Sequence, residues 1–286
     1  MPPSDSPDEE RQLQIVSDFL SRAPPGEVQD VFNDLRVLVG NDALLRDHIP
    51  HTFADYHTTN YGASRKLVLS PYNRVAPAAD SSAHARFLDP KTSRYVDVDV
   101  LRLAVVATHP APALPAEIEA LRAQLESAME AHVSEFYPSD GHTPGAVLPA
   151  GPAFVATIVG SKYNPSSFWT GRWRVTWAAA AGAEKVQGTF EVAVHYYEDG
   201  NVQLTNTKEV LLPSLGGSWS APGALAPTMA GVRNAENAYQ NAINASYTEL
   251  SDTVFKHLRR ALPVTKMKIE WGSLGGYRIG SELNSR

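Results

Sequence analysis

Lys256 and Arg260 stand four residues apart in SDTVFKHLRRALPVTKMKIEW, a spacing that puts both cations on one face of a helix. On a wheel of about 100° per residue with Tyr247 at zero, Leu250, Val254, Leu258, Ala261 and Leu262 fall within about 60°, and Phe255 at about 80°. Lys256 and Arg260 lie opposite. Pro263 lacks an N–H and forbids easy continuation. Beyond it Thr265, Met267, Ile269 and Trp271 alternate with Lys266, Lys268 and Glu270, an extended pattern of period two. A basic amphipathic helix with a basic, aromatic-ended extension has the chemistry of a binding arm, and an acidic protein surface is the target it fits.

Other residues invite a chemical reading and lose it on inspection. Asp97 and Asp99 alternate with Val96, Val98 and Val100, the pattern of a solvated strand face, and no His or Glu follows at metal-site spacing. His195 sits beside Tyr196, Tyr197 and Asp199, but no nucleophile stands in a recognisable elbow, so a structural role is expected. His48, His51 and His57 flank Pro50 without further ligands at zinc-site spacing. Trp169, Trp173 and Trp177 form a stripe that suits sheet packing better than base stacking. Cysteine is absent, as are HExxH, GxSxG, Walker and dinucleotide-binding motifs. Neither an enzyme nor a cofactor or metal is expected.

The elements that carry the arm follow from charge and periodicity. Among 286 residues with net charge −6, residues 251–286 hold seven Lys/Arg against three Asp/Glu, so the rest of the chain stands at −10. One localised basic site, rather than a nucleic-acid-binding domain, fits that asymmetry. No apolar run is long enough for a transmembrane helix, and MPPSDSPDEE does not read as a signal peptide. Residues 1–8 are expected to be a disordered acidic tail. A helical bundle is expected over 9–60: a helix over Glu9–Leu20, a second carrying Val28 to Leu38 and ending near Gly40, and a third capped by Asn41 and stopped by Pro50. A mixed region covers 61–152, with strands at Leu67–Leu69 and across Tyr95–Thr108. It also holds a helix over Ala116–Tyr137, buried through Ile118, Leu121, Leu125, Met129 and Val133, and a surface loop over 138–152. An antiparallel sheet spans 153–212, where Gly171 permits a bulge or a turn, with a hairpin of Lys185–Tyr197 and Asn201–Leu211. A Pro/Gly-rich linker over 213–228 leads to a long amphipathic helix over 229–262, and 263–286 is the C-terminal extension. The fold class is α+β: an N-terminal helical bundle, a central antiparallel sheet covered by a long C-terminal helix, and a mobile basic arm. An open sheet edge and the arm both ask for a partner.

YQNAINASYTELSDTVFKHLRRALPVTKMKIEW, from Tyr239 to Trp271, resembles the C-terminal region of the alpha subunit of F-actin capping protein. FWTGRWRVTW at 168–177 and VAVHYYEDGNVQL at 192–204 agree, in the family's order. The resemblance covers most of the chain in layout, with its specific motifs in 163–210 and 239–282. It implies a three-helix N-terminal bundle and a heterodimer with a beta subunit whose strands continue the sheet. It further implies a protein that caps barbed ends of actin filaments in the cytoplasm and cortical actin structures, blocking subunit addition and loss. Phosphoinositides and regulatory capping-protein-binding proteins are implied as further partners; nucleic acid is not. The actin contacts carried over are Lys256, Arg260 and Lys266, the last commonly arginine in the family, with Arg259, Met267, Lys268, Ile269 and Trp271 alongside. The alternative is a membrane or phosphoinositide binder that uses the same basic helix without capping.

Overall fold

The computed structural model describes residues 7–58, 63–64, 67–75, 84–137, 143–164, 166, 168–180, 182–197, 201–213, 223–250 and 252–253. Residues 1–231 form one compact unit and 232–286 a second.

The first unit opens with three helices, α1 (Pro7–Ser21), α2 (Val28–Val39) and α3 (Asp42–Tyr56). Pro7 begins α1 with Asp8, Glu9 and Glu10 in the first turn, so the helix starts inside the stretch expected to be a disordered tail. Gly40 ends α2 at φ 65°, its N–H bonded to the carbonyl of Arg36. Asn41 caps α3 by accepting from the Leu44 N–H at 3.1 Å. Pro50 does not stop α3: it lies inside the helix, which runs on for six residues to Tyr56. An interior proline costs about 3 kcal/mol. The turn after it buries Phe53 and Tyr56, each worth roughly 1.5–3 kcal/mol, which offsets that cost.

The helices share one core with a four-stranded antiparallel sheet in the order β3-β4-β5-β6. Its strands are β3 (Arg74–Val75), β4 (His84–Asp89), β5 (Arg94–Asp99) and β6 (Ala104–Pro110). Phe87, Val96 and Val98 meet Leu20, Leu45 and Phe53 there. The Tyr95–Thr108 stretch is thus two strands, not one. Asp99 turns the chain by accepting the N–H groups of Leu101 and Arg102 at 3.0 and 3.1 Å. The short pair β1 (Ala63–Ser64) and β2 (Leu67–Val68) leads into this region.

The second sheet has five antiparallel strands in the order β11-β10-β9-β8-β7. They are β7 (Gly145–Ala150), β8 (Ala153–Asn164), β9 (Trp169–Ala180), β10 (Lys185–Tyr196) and β11 (Val202–Pro213). β7 falls in the stretch expected to be a loop, so the sheet begins at 145 and not 153; its Gly and Pro masked a strand whose Ala146, Val147 and Leu148 are buried. β9 keeps register past Gly171, so there is no bulge; a Cβ there would lie 3.4 Å from the Trp169 ring. Helix α4 (Ala116–Phe136) packs on this sheet through Met129 against Val147, Phe154 and Ile158. Leu121, Leu125 and Val133 of the expected stripe pack beside Met129, but Ile118 is exposed, and Arg122, Glu126 and His132 are buried as well. Burial of Arg122 and Glu126 is possible because they pair at 2.9 Å and Glu126 also accepts the Val147 N–H at 2.9 Å.

Helix α5 (Leu225–Leu250) starts four residues before the expected Met229, and β11 runs to Pro213, so 214–224 is the connection. Pro227 sits third in the helix, where its missing N–H is unneeded, and Ala224 accepts from the Thr228 N–H. In the first unit, Gly231 lies over Leu212 of β11. In the second unit, Val232, Glu236 and Tyr239 are buried at helical spacing. Among the described residues no helix is long and apolar enough to cross a membrane.

Candidate functional site

The eight residues expected to bind a partner surface, Lys256, Arg259, Arg260, Lys266, Met267, Lys268, Ile269 and Trp271, lie outside the described residues. The helix that leads to them is described. Along α5 the stripe Val232, Glu236, Tyr239 is continued by half-buried Ile243, and four residues on by Tyr247. Tyr247 is 62% exposed, and every residue from Asn244 to Glu249 is exposed. The stripe that is buried at Val232 and Tyr239 is therefore exposed by Tyr247.

The sheet edges give the second element of the site. Each edge carries unpaired N–H and C=O groups, and proteins blunt such edges or use them. β7 is six residues long, contains Pro149, and lends its Val147 N–H to Glu126 of α4. β6 carries a register break opposite Asp97/Val98, which leaves Val106 as an extra residue, and ends in Pro110. β3 has only two residues. β11 has twelve, and its ladder with β10 runs unbroken from Lys185↔Pro213 to Tyr196↔Val202. It has no proline before its last residue and is exposed save for half-buried Leu204, Val210 and Leu212. Among the described residues β11 is the longest of these edges and has neither an internal proline nor a register break.

A part-buried polar cluster fixes that edge. His195 of β10 contacts Glu27, just before α2, through Nδ1 at 2.7 Å, and Asn201, just before β11, through Nε2 at 3.2 Å. Thr170 of β9 donates its hydroxyl to the same Glu27 oxygen at 3.1 Å. One carboxylate therefore ties the helices to β9 and β10, and through His195 to the start of β11. Farther along the sheet Arg174 donates to the Thr58 carbonyl, and burial pulls the guanidinium pKa of Arg172 and Arg174 down. His195 is structural, as expected; Asp199 lies outside the described residues, and the carboxylate that pairs with it is Glu27, 168 residues away in sequence.

The remaining candidates resolve as packing. Trp173 donates its indole N–H to the Tyr137 hydroxyl at 3.1 Å, and Trp177 meets Phe190 edge to face at 5.5 Å. Trp169 presents a face to a cation, with Lys162 Nζ 5.4 Å from its ring. Asp97 is not a solvated strand residue. Arg86 grips both its oxygens at 2.6 and 2.9 Å, His109 adds a contact at 2.9 Å, and Arg86 holds the carboxyl below its usual range. His57 is buried while His48 and His51 are exposed, and no group of His, Cys, Asp and Glu suited to a metal occurs among the described residues. Glu27 carried no sequence signal, because its partners are brought to it only by the fold.

Comparison with known proteins agrees with this architecture. A family model described as F-actin capping protein alpha subunit matches residues 16–282. The F-actin-capping protein subunit alpha of Caenorhabditis elegans is 32% identical, covering 95% of this chain and 97% of its own length. Those of Emericella nidulans and Dictyostelium discoideum are each 30% identical over the same shares. In fold, the chain is similar to a solved structure of the homodimeric actin capping protein alpha subunit from Plasmodium berghei. The TM-score is 0.64 at 19% identity, over 90% of this chain and 98% of that one. The family's members are structural and regulatory proteins, not enzymes. With the family model spanning nearly the whole chain and relatives at 30% identity or more along its length, the chain belongs to the F-actin capping protein alpha subunit family.

Proposed function

We propose that this chain is the alpha subunit of a heterodimer that binds and caps the barbed ends of actin filaments, blocking subunit addition and loss. The observation that carries the reading is β11: a twelve-residue outer strand without internal proline or register break, on which a beta subunit can continue the five-stranded sheet. The bare Tyr247 end of α5 offers the same partner a helix face. The basic face of the following segment is the actin contact. Lys256 and Arg260 approach acidic actin surface from one side of a helix, with Arg259, Lys266, Lys268, Met267, Ile269 and Trp271 completing the arm. Arg260 can grip a carboxylate with two parallel bonds, whereas Lys266 offers a point charge. Phosphoinositides and regulatory capping-protein-binding proteins are further proposed partners, and the cytoplasm and cortical actin structures the proposed location.

The experiment is co-expression with a beta subunit, followed by seeded barbed-end elongation across an ionic-strength series. Replacing Lys256 and Arg260 together by alanine leaves the heterodimer folded by circular dichroism and slows barbed-end association about tenfold or more at low salt. The defect shrinks as salt screens the wild-type attraction. A folded double variant that caps as fast as wild type at low salt removes the basic face from the mechanism. A complex that binds anionic vesicles but leaves filament ends growing assigns that face to lipid.

A further inference from the structure

Neither the edge of the five-stranded sheet nor the basic arm uses the connector between β6 and α4. It reads HPAPALP over His109–Pro115. Proline fixes its own φ near −65° and pushes the residue before it out of the helical region, into extended or polyproline II backbone. Pro110, Pro112 and Pro115 are fixed in this way, and His109, Ala111 and Leu114 are pushed, which leaves Ala113 alone unconstrained. Residues 111–115 belong to no helix or strand, and Pro115, at φ −52° and ψ 139°, lies close to polyproline II. Two hydrogen bonds pin the ends. Ala111 donates its N–H to the Ser93 carbonyl at 3.1 Å, and Pro115 accepts the Glu119 N–H at 2.9 Å.

Polyproline II backbone has three residues per turn and rises about 3.1 Å per residue, which sets Pro112 and Pro115 on one edge about 9 Å apart. Pro110, Pro112, Ala113 and Pro115 are exposed, while Ala111 and Leu114 are half-buried. The bare edge is therefore P-x-x-P, presented to solvent and held at both ends. Ile118, in the first turn of α4, follows it 38% exposed. A cation stands at the other end: Arg94, also exposed, is the cross-strand partner of Pro110 and donates from Nη1 to the Thr108 hydroxyl at 3.0 Å. A spacer needs stiffness alone. Bare prolines one turn apart, with a cation at one end, have the form of a ligand.

We propose that His109–Pro115 is a docking site for a separate protein domain of the SH3 type, which reads P-x-x-P segments in an aromatic-lined groove. Pro112 and Pro115 enter successive pockets of the groove, and acidic residues at its end face Arg94. The segment is already ordered by its own prolines and its two anchors, so docking loses little chain entropy. The site uses none of the residues proposed for the beta subunit or for actin, and it does not depend on that reading. It gives the chain a means of recruitment by proteins that carry such a domain.

A panel of purified SH3 domains, with WW and EVH1 domains alongside, is titrated onto the full chain, both alone and co-expressed with a beta subunit. Measuring both forms keeps the result readable even if no heterodimer assembles. The expected result is saturable binding by at least one SH3 domain. Pro112→Ala together with Pro115→Ala weakens that binding about tenfold or more, because it empties both pockets. Arg94→Glu weakens it about threefold or more and steepens no salt dependence, since the attraction it removes is the screened one. Ala113→Ser leaves it within about twofold, since that residue enters neither pocket. Circular dichroism and thermal melts confirm that the variants are folded. A synthetic peptide of residues 107–118 gives a readout free of folding: it displaces the domain, and the peptide with both alanines does not. Binding that is equal for wild type and the double-alanine variant, or absent across the SH3 panel, overturns the proposal. So does an SH3 domain that takes the peptide and ignores the folded chain, because the segment is then not presented. Binding by WW or EVH1 domains alone overturns the SH3 assignment.

Discussion

Removal of the Glu27 carboxylate is the sharpest test of how the sheet edge is held. Glu27→Ala deletes the 2.7 Å contact to His195 and the 3.1 Å bond from Thr170. A hydrogen bond to a charged group is worth about 1.5–3 kcal/mol and a neutral one about 1 kcal/mol. The two side chains of the pair are only 19% and 9% exposed, so water replaces the lost contacts poorly. The expected destabilisation is about 2–4 kcal/mol. His195→Ala loses the same contact together with the one to Asn201 and the ring packing on Tyr197 at 5.0 Å. The cycle of Glu27→Ala, His195→Ala and the double variant isolates the shared term, expected at about 1–2 kcal/mol. The assay is denaturant unfolding of the co-expressed complex, followed by circular dichroism and by tryptophan fluorescence, with cleavage of the β10–β11 connection by a dilute protease as the local readout. Both single variants expose that connection to cleavage more than wild type. Additivity of the two single variants within about 0.3 kcal/mol, with unchanged cleavage, refutes Glu27 as the tie between helices and sheet edge.

Three further outcomes follow from the structure. Gly188→Ala destabilises by about 1–3 kcal/mol in denaturant melts, because an added Cβ would overlap the Trp177 ring on the neighbouring strand and both are packed. Burial pulls the His57 pKa down from 6.5 to about 4, so the folded state holds it neutral. That contribution is complete above about pH 6.5 and declines, by up to about 3 kcal/mol, as pH falls toward 4. A stability–pH series in which His57→Gln does not flatten that acid limb contradicts it. Single-stranded oligonucleotides leave the tryptophan fluorescence unchanged at physiological salt, because Trp173 and Trp177 are held in packing contacts; saturable quenching counts against that assignment.

Local pattern alone determined a good deal of this protein. Gly40 and Asn41 punctuate the helices because a left-handed C-cap and a side-chain N-cap are local devices, written in adjacent residues. The β10–β11 hairpin was legible for the same reason: two alternating runs flank a short turn, and pairing of neighbours needs no distant information. Asp97 read as a solvated strand residue, because its grip by Arg86 and His109 was invisible: those partners arrive from two other strands. Pro50 misled because its cost is local while the burial of Phe53 and Tyr56 that offsets it is tertiary. The apolar stripe of α4 was legible through Leu121, Leu125, Met129 and Val133, but not the burial beside it of Arg122 and Glu126, which rests on their pairing and on the Val147 N–H from a distant strand. The long edge of β11 is likewise a tertiary fact. Its sequence is that of an ordinary strand, and only the strand order shows that it lies at an edge. Sequence fixes what each segment can bury or bond, but which groups go without a neighbour is decided only when every other segment has taken its place.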